Sequence, residues 1–440
     1  MKPQARRPWV PQDIEQFSQE LAEQIAAYDA DGIETEIDLL IEQNLEIHDR
    51  ACVNLNPATN VMNPKAEAAL ARGLGSRPSL GYPGDKYEMG LEAIERIELI
   101  AANLVCDVFA ADFAEIRVAS GAMANLYAFM ATCRPGDPII VPPPEIGGHV
   151  THRDEGAAGL YGLEIHPAPI DANAYTVDVD ALRALARRIR PKLISIGGSL
   201  NLFSHPVAEI RAVADEVGAV VLFDAAHQCG LFAGRAWPNP LTEGAHLMTF
   251  STYKSLGGPP SGLIVTNEAT LAERLDKIAY PGLTANFDVA KSASLAIALL
   301  DWQVHGAAYA AKMIETAQAL ATSLAAADLP VYAAERGFTN SHQFAIEAQR
   351  FGGGQTMAKL LRTANVLTCG IGLPLEPVAG DLNGLRFGTP EVVRWGMDTQ
   401  EMSELAGFIA RVLIGGESPE KVAKDVTAFR TRFQSLHYIR

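Results

Sequence analysis

Cysteine is scarce and scattered in this chain of 440 residues: Cys52, Cys106, Cys133, Cys229 and Cys369 are an odd number without C-x-x-C spacing. Neither a disulfide framework nor a zinc site is expected from them, no other metal site is suggested, and a reducing cytoplasm suits the thiols. Basic charge is also short, with 36 Lys and Arg against 52 Asp and Glu and a net charge of −16. Nucleic acid and anionic membranes, whose binding normally needs a basic face, are therefore not expected partners. No run approaches the ~18 uninterrupted apolar residues of a membrane span, and the opening "MKPQARRPWVPQDIEQ" has no apolar stretch behind its charges. Internal repeats and low-complexity tracts are missing as well. A cytoplasmic location is expected.

What is present is material for a large core. Hydrophobic residues make up 48% of the chain, and single cores stop growing near ~250–300 residues, so two domains are expected. Near the start, Ile14, Phe17, Leu21, Ile25 and Tyr28 recur at helical spacing, a stripe that could lie against a partner subunit. From Cys52 to Gly90 the chain is rich in Asn, Pro and Gly, which predicts ordered loops of the kind that carry function. Beyond them, short apolar runs ("DPIIV", "KLISIG", "AVVLFD", "LMTF") alternate with helical stretches such as "AEIRAVADEVG" and "ATLAERLDKIA". Runs without in–out alternation are strands buried on both faces, and with helices between them they predict a mostly parallel sheet. The segment 288–326 reads as an alanine-rich helix pair, and "HQFAIE", "VLTCGI" and "GLRFGTP" as strands of a smaller α+β domain. The expected division is an N-terminal helical segment at 1–50, a large α/β domain at 51–285, and bridging helices with the small domain at 286–440.

Four places in the large domain could carry chemistry. In "VASGAMANLYAFM", Ser120, Gly121 and Ala122 open a helix straight after a strand, where free amides suit a phosphate, although many strand-to-helix turns look alike. In "AVVLFDAAHQCG", Asp224 ends a buried strand with His227 three residues on; a carboxylate at that edge faces a ligand or else caps a helix. Lys254, in "STYKSLGGPP", stands where a strand ends and a tight turn begins. It is either a solvated surface lysine or an amine able to lose its proton and form a Schiff base. "EIGGHVTH" offers His149 and His152, imidazoles that could stack on a flat ring or merely fill the core. An anion cradle, a carboxylate for a pyridinium nitrogen, a stacking imidazole and an aldehyde-accepting lysine together describe a pyridoxal phosphate site.

The stretches "GYPGDKYEMG", "GGHVTH", "IGGSL", "FDAAHQCGL", "STYKSLGGPPSGLI" and "LRFGTPEVVRWGM" resemble, in order, those of the serine hydroxymethyltransferases. The resemblance implies a fold-type I, pyridoxal phosphate-dependent architecture, with a mostly parallel seven-stranded large domain and a smaller α+β C-terminal domain. Carried over residue by residue, it puts Ser120, Gly121 and Ala122 at the phosphate and His149 on the ring face. Ser199 and His227 fall near the phenolic oxygen, Asp224 at the ring nitrogen, and Lys254 at the aldehyde, flanked by Ser251 and Tyr253. Arg386 would clamp the substrate carboxylate, a bidentate task suited to a guanidinium, with Tyr87 and Asn60 also on the substrate side. It further implies a homodimer in which the loop containing "GYPGDKYE" crosses into the neighbour's site.

Departures from the family pattern change the expected reaction. Leu80 stands where the family has a glutamate that moves protons in the folate-linked step, and Pro78 where it has a tyrosine. Glu88 replaces a second tyrosine and Tyr253 a histidine. Leucine transfers no proton. The expected activity is cleavage, formation or transfer of the Cα–Cβ bond of a β-hydroxy-α-amino acid, of serine, threonine or α-methylserine type, without tetrahydrofolate. Besides Lys254 and His149, the catalytic candidates are His152, Glu88 and Tyr87 as bases for the substrate hydroxyl. His152 is preferred because imidazole takes and returns protons near neutral pH. A folate-dependent hydroxymethyltransferase is the alternative reading; racemisation, transamination and a non-catalytic relative are others.

Overall fold

A computed structural model describes residues 4–440, so residues 1–3 of the expected N-terminal segment lie outside the described chain. Its centre is a sheet of β1 (Phe113–Val118), β2 (Pro138–Val141), β3 (Glu164–Pro167), β4 (Leu193–Gly197), β5 (Val220–Asp224), β6 (Leu247–Ser251) and β7 (Gly262–Thr266), ordered β1-β7-β6-β5-β4-β2-β3. The strands from β6 to β3 pair in parallel, while β7 runs antiparallel to β6 and β1. The mostly parallel seven-stranded α/β sheet is therefore as expected. Every residue of β4, β6 and β7 is buried, which is why their sequences show no alternation.

The register decides where chemistry gathers. Asp224 at the end of β5 pairs with Gly197 at the end of β4 and with Thr249 of β6. Ser251 at the end of β6 pairs with Gly262, which in turn pairs with Val118 at the end of β1. Four chain segments thus leave the sheet along one edge, where open α/β sheets bind ligands.

The expected N-terminal stripe forms on α1 (Gln12–Ala26) but stays uncovered: Ile14, Phe17 and Leu21 are 52%, 62% and 41% exposed. A second helix, α2 (Ala30–Leu45), begins at Asp29, whose side chain accepts the Gly32 amide, and leaves Ile37, Leu39, Leu40 and Ile41 exposed. The helix pair expected at 288–326 is a single helix of 38 residues. It is preceded here by α3 (Gly121–Thr132) and is labelled α4 (Val289–Ala326). Its sequence holds no proline, and its one glycine, Gly306, costs only ~1 kcal/mol relative to alanine, too little to break a helix packed along its length.

The C-terminal sheet is antiparallel, β8 (Gln343–Glu347), β9 (Cys369–Ile371) and β10 (Gly384–Gly388) in the order β8-β10-β9. The run "VLTCGI" splits: Val366 and Leu367 leave this sheet to pair in parallel with Val53 and Asn54. Chain just beyond the expected boundary at residue 51 is thereby stitched to the C-terminal region. Among the described residues no helix is long and apolar enough to cross a membrane.

Candidate active site

Ser120 turns the chain from β1 into α3 by accepting the Met123 amide on its hydroxyl at 3.2 Å. The Gly121 and Ala122 amides are left without partners among the described residues, at a helix N-terminus whose dipole favours an anion. Ser251 presses on this turn: a Cβ at position 121 would stand 2.0 Å from its Oγ, so any larger residue there would have to push the Ser251 hydroxyl aside. All the residues expected around the cofactor, from Ser120 to Lys254, line one cavity, together with Asn125 and Tyr253.

The floor of that cavity is Asp224, only 1% exposed. Its Oδ1 accepts the Ala226 amide at 3.0 Å, and its Oδ2 accepts Asn125 Nδ2 and His152 Nε2, each at 3.0 Å. Burial alone would raise this carboxyl, but the His152 and Asn125 hydrogen bonds and the nearby His149 outweigh it and hold the group well below the usual range. A carboxylate that stays ionised in a closed site is what a protonated ring nitrogen requires. His149, on the cavity wall, is pulled down to about 4 by burial and by Lys254, against the opposing charge of Asp224, so its ring is neutral. A neutral, flat imidazole suits stacking on a pyridine.

Lys254 lies past the end of β6 and is 6% exposed. Burial lowers its amine, Asp224 raises it again and Arg386 lowers it further, leaving it at about 8 rather than the ordinary lysine value near ~10.4. Its Nζ is 3.0 Å from His227 Nε2. Arg386, on β10, does not line the cavity but touches two residues that do. Its Nη1 donates to the Ser199 carbonyl and comes within 3.4 Å of His227 Nε2, its Nη2 donates to Cys369 Sγ at 3.0 Å, and its Nε is buried without a partner. An uncommitted guanidinium N–H in a buried place is a ready donor for a carboxylate.

Two expectations are corrected by these positions. His152 is completely buried behind Asp224, with Nε2 spent on that carboxylate and Nδ1 3.3 Å from Ser195 Oγ, so it does not face the cavity as a base for substrate. Asn60 does not face it either; its Nδ2 donates to Tyr309 Oη at 3.0 Å and to the Ser255 carbonyl, bracing the turn after Lys254. Tyr87 and Glu88 follow a hairpin (81–86) held to this chain by Lys86–Glu98 at 2.7 Å and Gly84–Glu95 at 2.7 Å, and neither reaches this cavity. Tyr87 is 79% exposed.

Asn125 was absent from the expected set. It donates to Asp224 and accepts from Thr249 Oγ1 at 2.7 Å, tying α3 to the sheet edge. A buried amide one helical turn after Gly121 was the available signal, since such positions are otherwise apolar.

The chain is similar to known proteins over most of its length. The family model described as serine hydroxymethyltransferase matches residues 31–409. An alpha-methylserine aldolase of Ralstonia sp is 61% identical over 434 residues, covering 99% of each chain. One of Variovorax paradoxus is 64% identical, covering 99% of this chain and 98% of that one. A serine hydroxymethyltransferase of Thermococcus gammatolerans is 38% identical over 393 residues, 88% of this chain and 92% of its own. The free amides at Gly121, the ionised floor and the buried amine fit the phosphate, ring nitrogen and aldehyde of one cofactor. The chain belongs to the serine hydroxymethyltransferase family, pyridoxal phosphate enzymes, and acts on the Cα–Cβ bond of a β-hydroxy-α-amino acid.

Proposed function

We propose that the protein cleaves α-methylserine to formaldehyde and alanine without tetrahydrofolate, in the cytoplasm, as a homodimer with shared sites. The observation that carries this reading is the contrast in likeness: 61% identity over 99% of the chain to an alpha-methylserine aldolase, against 38% over 88% to a serine hydroxymethyltransferase. Leu80 supports the folate-free part, because an alkyl side chain at that hairpin position moves no proton. Five unpaired cysteines suit a reducing compartment.

When bound, pyridoxal phosphate supplies an aldehyde for the substrate amine and a ring that draws electrons from its α-carbon. Ser120, Gly121 and Ala122 would hold the phosphate, His149 the ring face, Ser199 and His227 the phenolic edge, and Ser251 the turn beneath. Asp224, held ionised, would stabilise a proton on the ring nitrogen. Lys254 Nζ would yield its place to the substrate amine, and once it had taken up a proton its ammonium would be the group to donate one at the α-carbon. Arg386 receives the substrate carboxylate. The substrate hydroxyl proton needs a base as the Cα–Cβ bond breaks, and with His152 turned away the remaining carboxylate is Glu88. It follows Tyr87, whose amide donates to the Leu80 carbonyl at 3.1 Å, so the hairpin carries an acid beside the position that leucine has vacated. Glu88 Oε2 is buried without a partner.

Since the hairpin does not reach its own chain's cavity, Glu88 of the partner subunit would serve, with Tyr87 beside it on the substrate side. Exposed apolar residues on α1, on α2 and just after the hairpin, Phe17, Leu40 and Met89 among them, support such a contact. The same reading keeps three units: the helical arm at 1–50, the cofactor domain at 51–285 and the remainder at 286–440. Formaldehyde release from α-methylserine, measured with and without tetrahydrofolate, tests the reaction; a strict folate requirement overturns it. Sedimentation that finds an active monomer overturns the shared site.

A further inference from the structure

Gln343 opens β8 and is fully buried. Its Oε1 lies 3.3 Å from the Asn201 amide and 3.2 Å from Gln228 Nε2, and its Nε2 lies 3.1 Å from both the Ser199 carbonyl and His227 Nδ1. The two ends of a carboxamide are told apart by their partners. A backbone N–H only donates and a backbone carbonyl only accepts, so Asn201 and Ser199 fix which end of Gln343 is which. The amide N–H therefore points at His227 Nδ1, which must be the bare, accepting nitrogen. In a neutral imidazole the proton then sits on Nε2, the atom 3.0 Å from Lys254 Nζ.

We propose that Gln343 is a positioning residue: by fixing His227 as its Nε2–H tautomer, it aims a donor at Lys254 Nζ and favours the neutral, nucleophilic amine. An imidazole N–H donating to Nζ needs a lone pair there, and an ammonium has none. The polarity runs in one direction, from the Asn201 amide through Gln343 and His227 to the lysine.

One contact opposes this order, since Arg386 Nη1, always a donor, is 3.4 Å from His227 Nε2. Satisfying it would put the imidazole proton on Nδ1 and force Gln343 to turn over. The turned amide would set oxygen against the Ser199 carbonyl and N–H groups against the Asn201 amide. Two backbone hydrogen bonds would be lost for one long contact, and Nη1 already donates to Ser199. The charged and titratable groups facing His227 are Lys254, Arg386, His342 and His149. Burial first, and then these neighbours, hold the imidazole well below its ordinary range, so it is neutral. The low value of Lys254 agrees in direction.

The inference rests on Lys254 being the Schiff-base lysine and not on which substrate is cleaved. It is tested on full-length protein freed of cofactor and labelled with 15N-histidine, with His227 assigned by its loss in His227→Asn. At neutral pH the His227 nitrogens should report a neutral Nε2–H tautomer. Gln343→Leu should mix the two tautomers, and Gln343→Glu should place a proton on Nδ1. Capture of pyridoxal, an aldehyde without the phosphate, is the second measurement. Its pH midpoint should rise by about one unit in Gln343→Glu, a loss of about tenfold at neutral pH. An Nδ1–H tautomer or an imidazolium in the unsubstituted protein overturns the proposal, and that spectrum needs no variant to fold. An unshifted midpoint in well-folded variants overturns the claim on the amine. Failure to cleave α-methylserine with the expected tautomer in place would fall on the proposed function alone.

Discussion

The floor of the cofactor cavity and the hairpin at 81–86 are built on opposite terms. Around Asp224, side chains from α3, β6 and the His149–His152 turn converge, and each oxygen of the carboxylate is spoken for within one chain. The hairpin is two residues per strand, tethered by the buried Glu98 and the half-buried Glu95, and followed by Tyr87 and Met89 at 79% and 82% exposure. Electrostatics in a closed, low-dielectric site act strongly and cannot be left to chance encounters. A surface hairpin with uncovered apolar residues is a component waiting for a neighbour. The difference separates what the cofactor needs from what the substrate needs.

Breaking the floor should cost most. Lys254→Ala should abolish the visible absorbance of the bound cofactor and lower formaldehyde release by at least about 10³-fold; survival of both would remove the lysine from the mechanism. Asp224→Asn should cost on the order of 10²–10³-fold in kcat, as when one electrostatic group is withdrawn from a closed site. On the hairpin side, Glu88→Gln should lower kcat by about 10²-fold, the low end for a lost acid–base group. Mixing Lys254→Ala with Glu88→Gln subunits sharpens the contrast. Random exchange makes half of the dimers hybrid, each with one intact site, so about a quarter of full activity should return; no recovery would mean that each chain keeps its own hairpin.

Smaller effects probe how the floor is held. His152→Phe removes one of three bonds to Asp224 and should cost about tenfold, in line with ~1–3 kcal/mol for a buried partner lost. A loss as large as that of Asp224→Asn would return His152 to a direct chemical part. Because burial lowers Lys254 to about 8, the neutral amine grows as pH rises through that value. Capture of pyridoxal phosphate by the cofactor-free protein should therefore climb to a plateau above about pH 8, and a midpoint near the ordinary ~10.4 would contradict the buried amine. Smallest of all, Leu80→Glu should leave folate-free cleavage within about twofold if that position now only shapes the hairpin.

Lys254 and Asp224 were legible because each ends or closely follows a buried apolar run, and a polar residue there has few places to go but the sheet edge; Ser120 was legible as the serine that opens a helix straight after a strand. His149 and His152 were not separable. They lie within one short turn, and packing under Asp224, not spacing, turns one ring to the cavity and the other to the core. Asn60 reads as a substrate-side residue in its Asn- and Pro-rich loop yet braces Tyr309 from 249 positions away. The long helix α4 was misread as two because alanine and one glycine blur the period without supplying a stop.

By itself the sequence determined the buried strands, the order of the polar residues that end them, and the excess of acidic over basic charge, since all three follow from local composition and period. Tertiary structure alone decided which imidazole meets which carboxylate and which way a proton points from Gln343 through His227 to Lys254. Hydrogen-bond polarity is set among residues up to 144 positions apart, and no local pattern encodes a direction across such a gap.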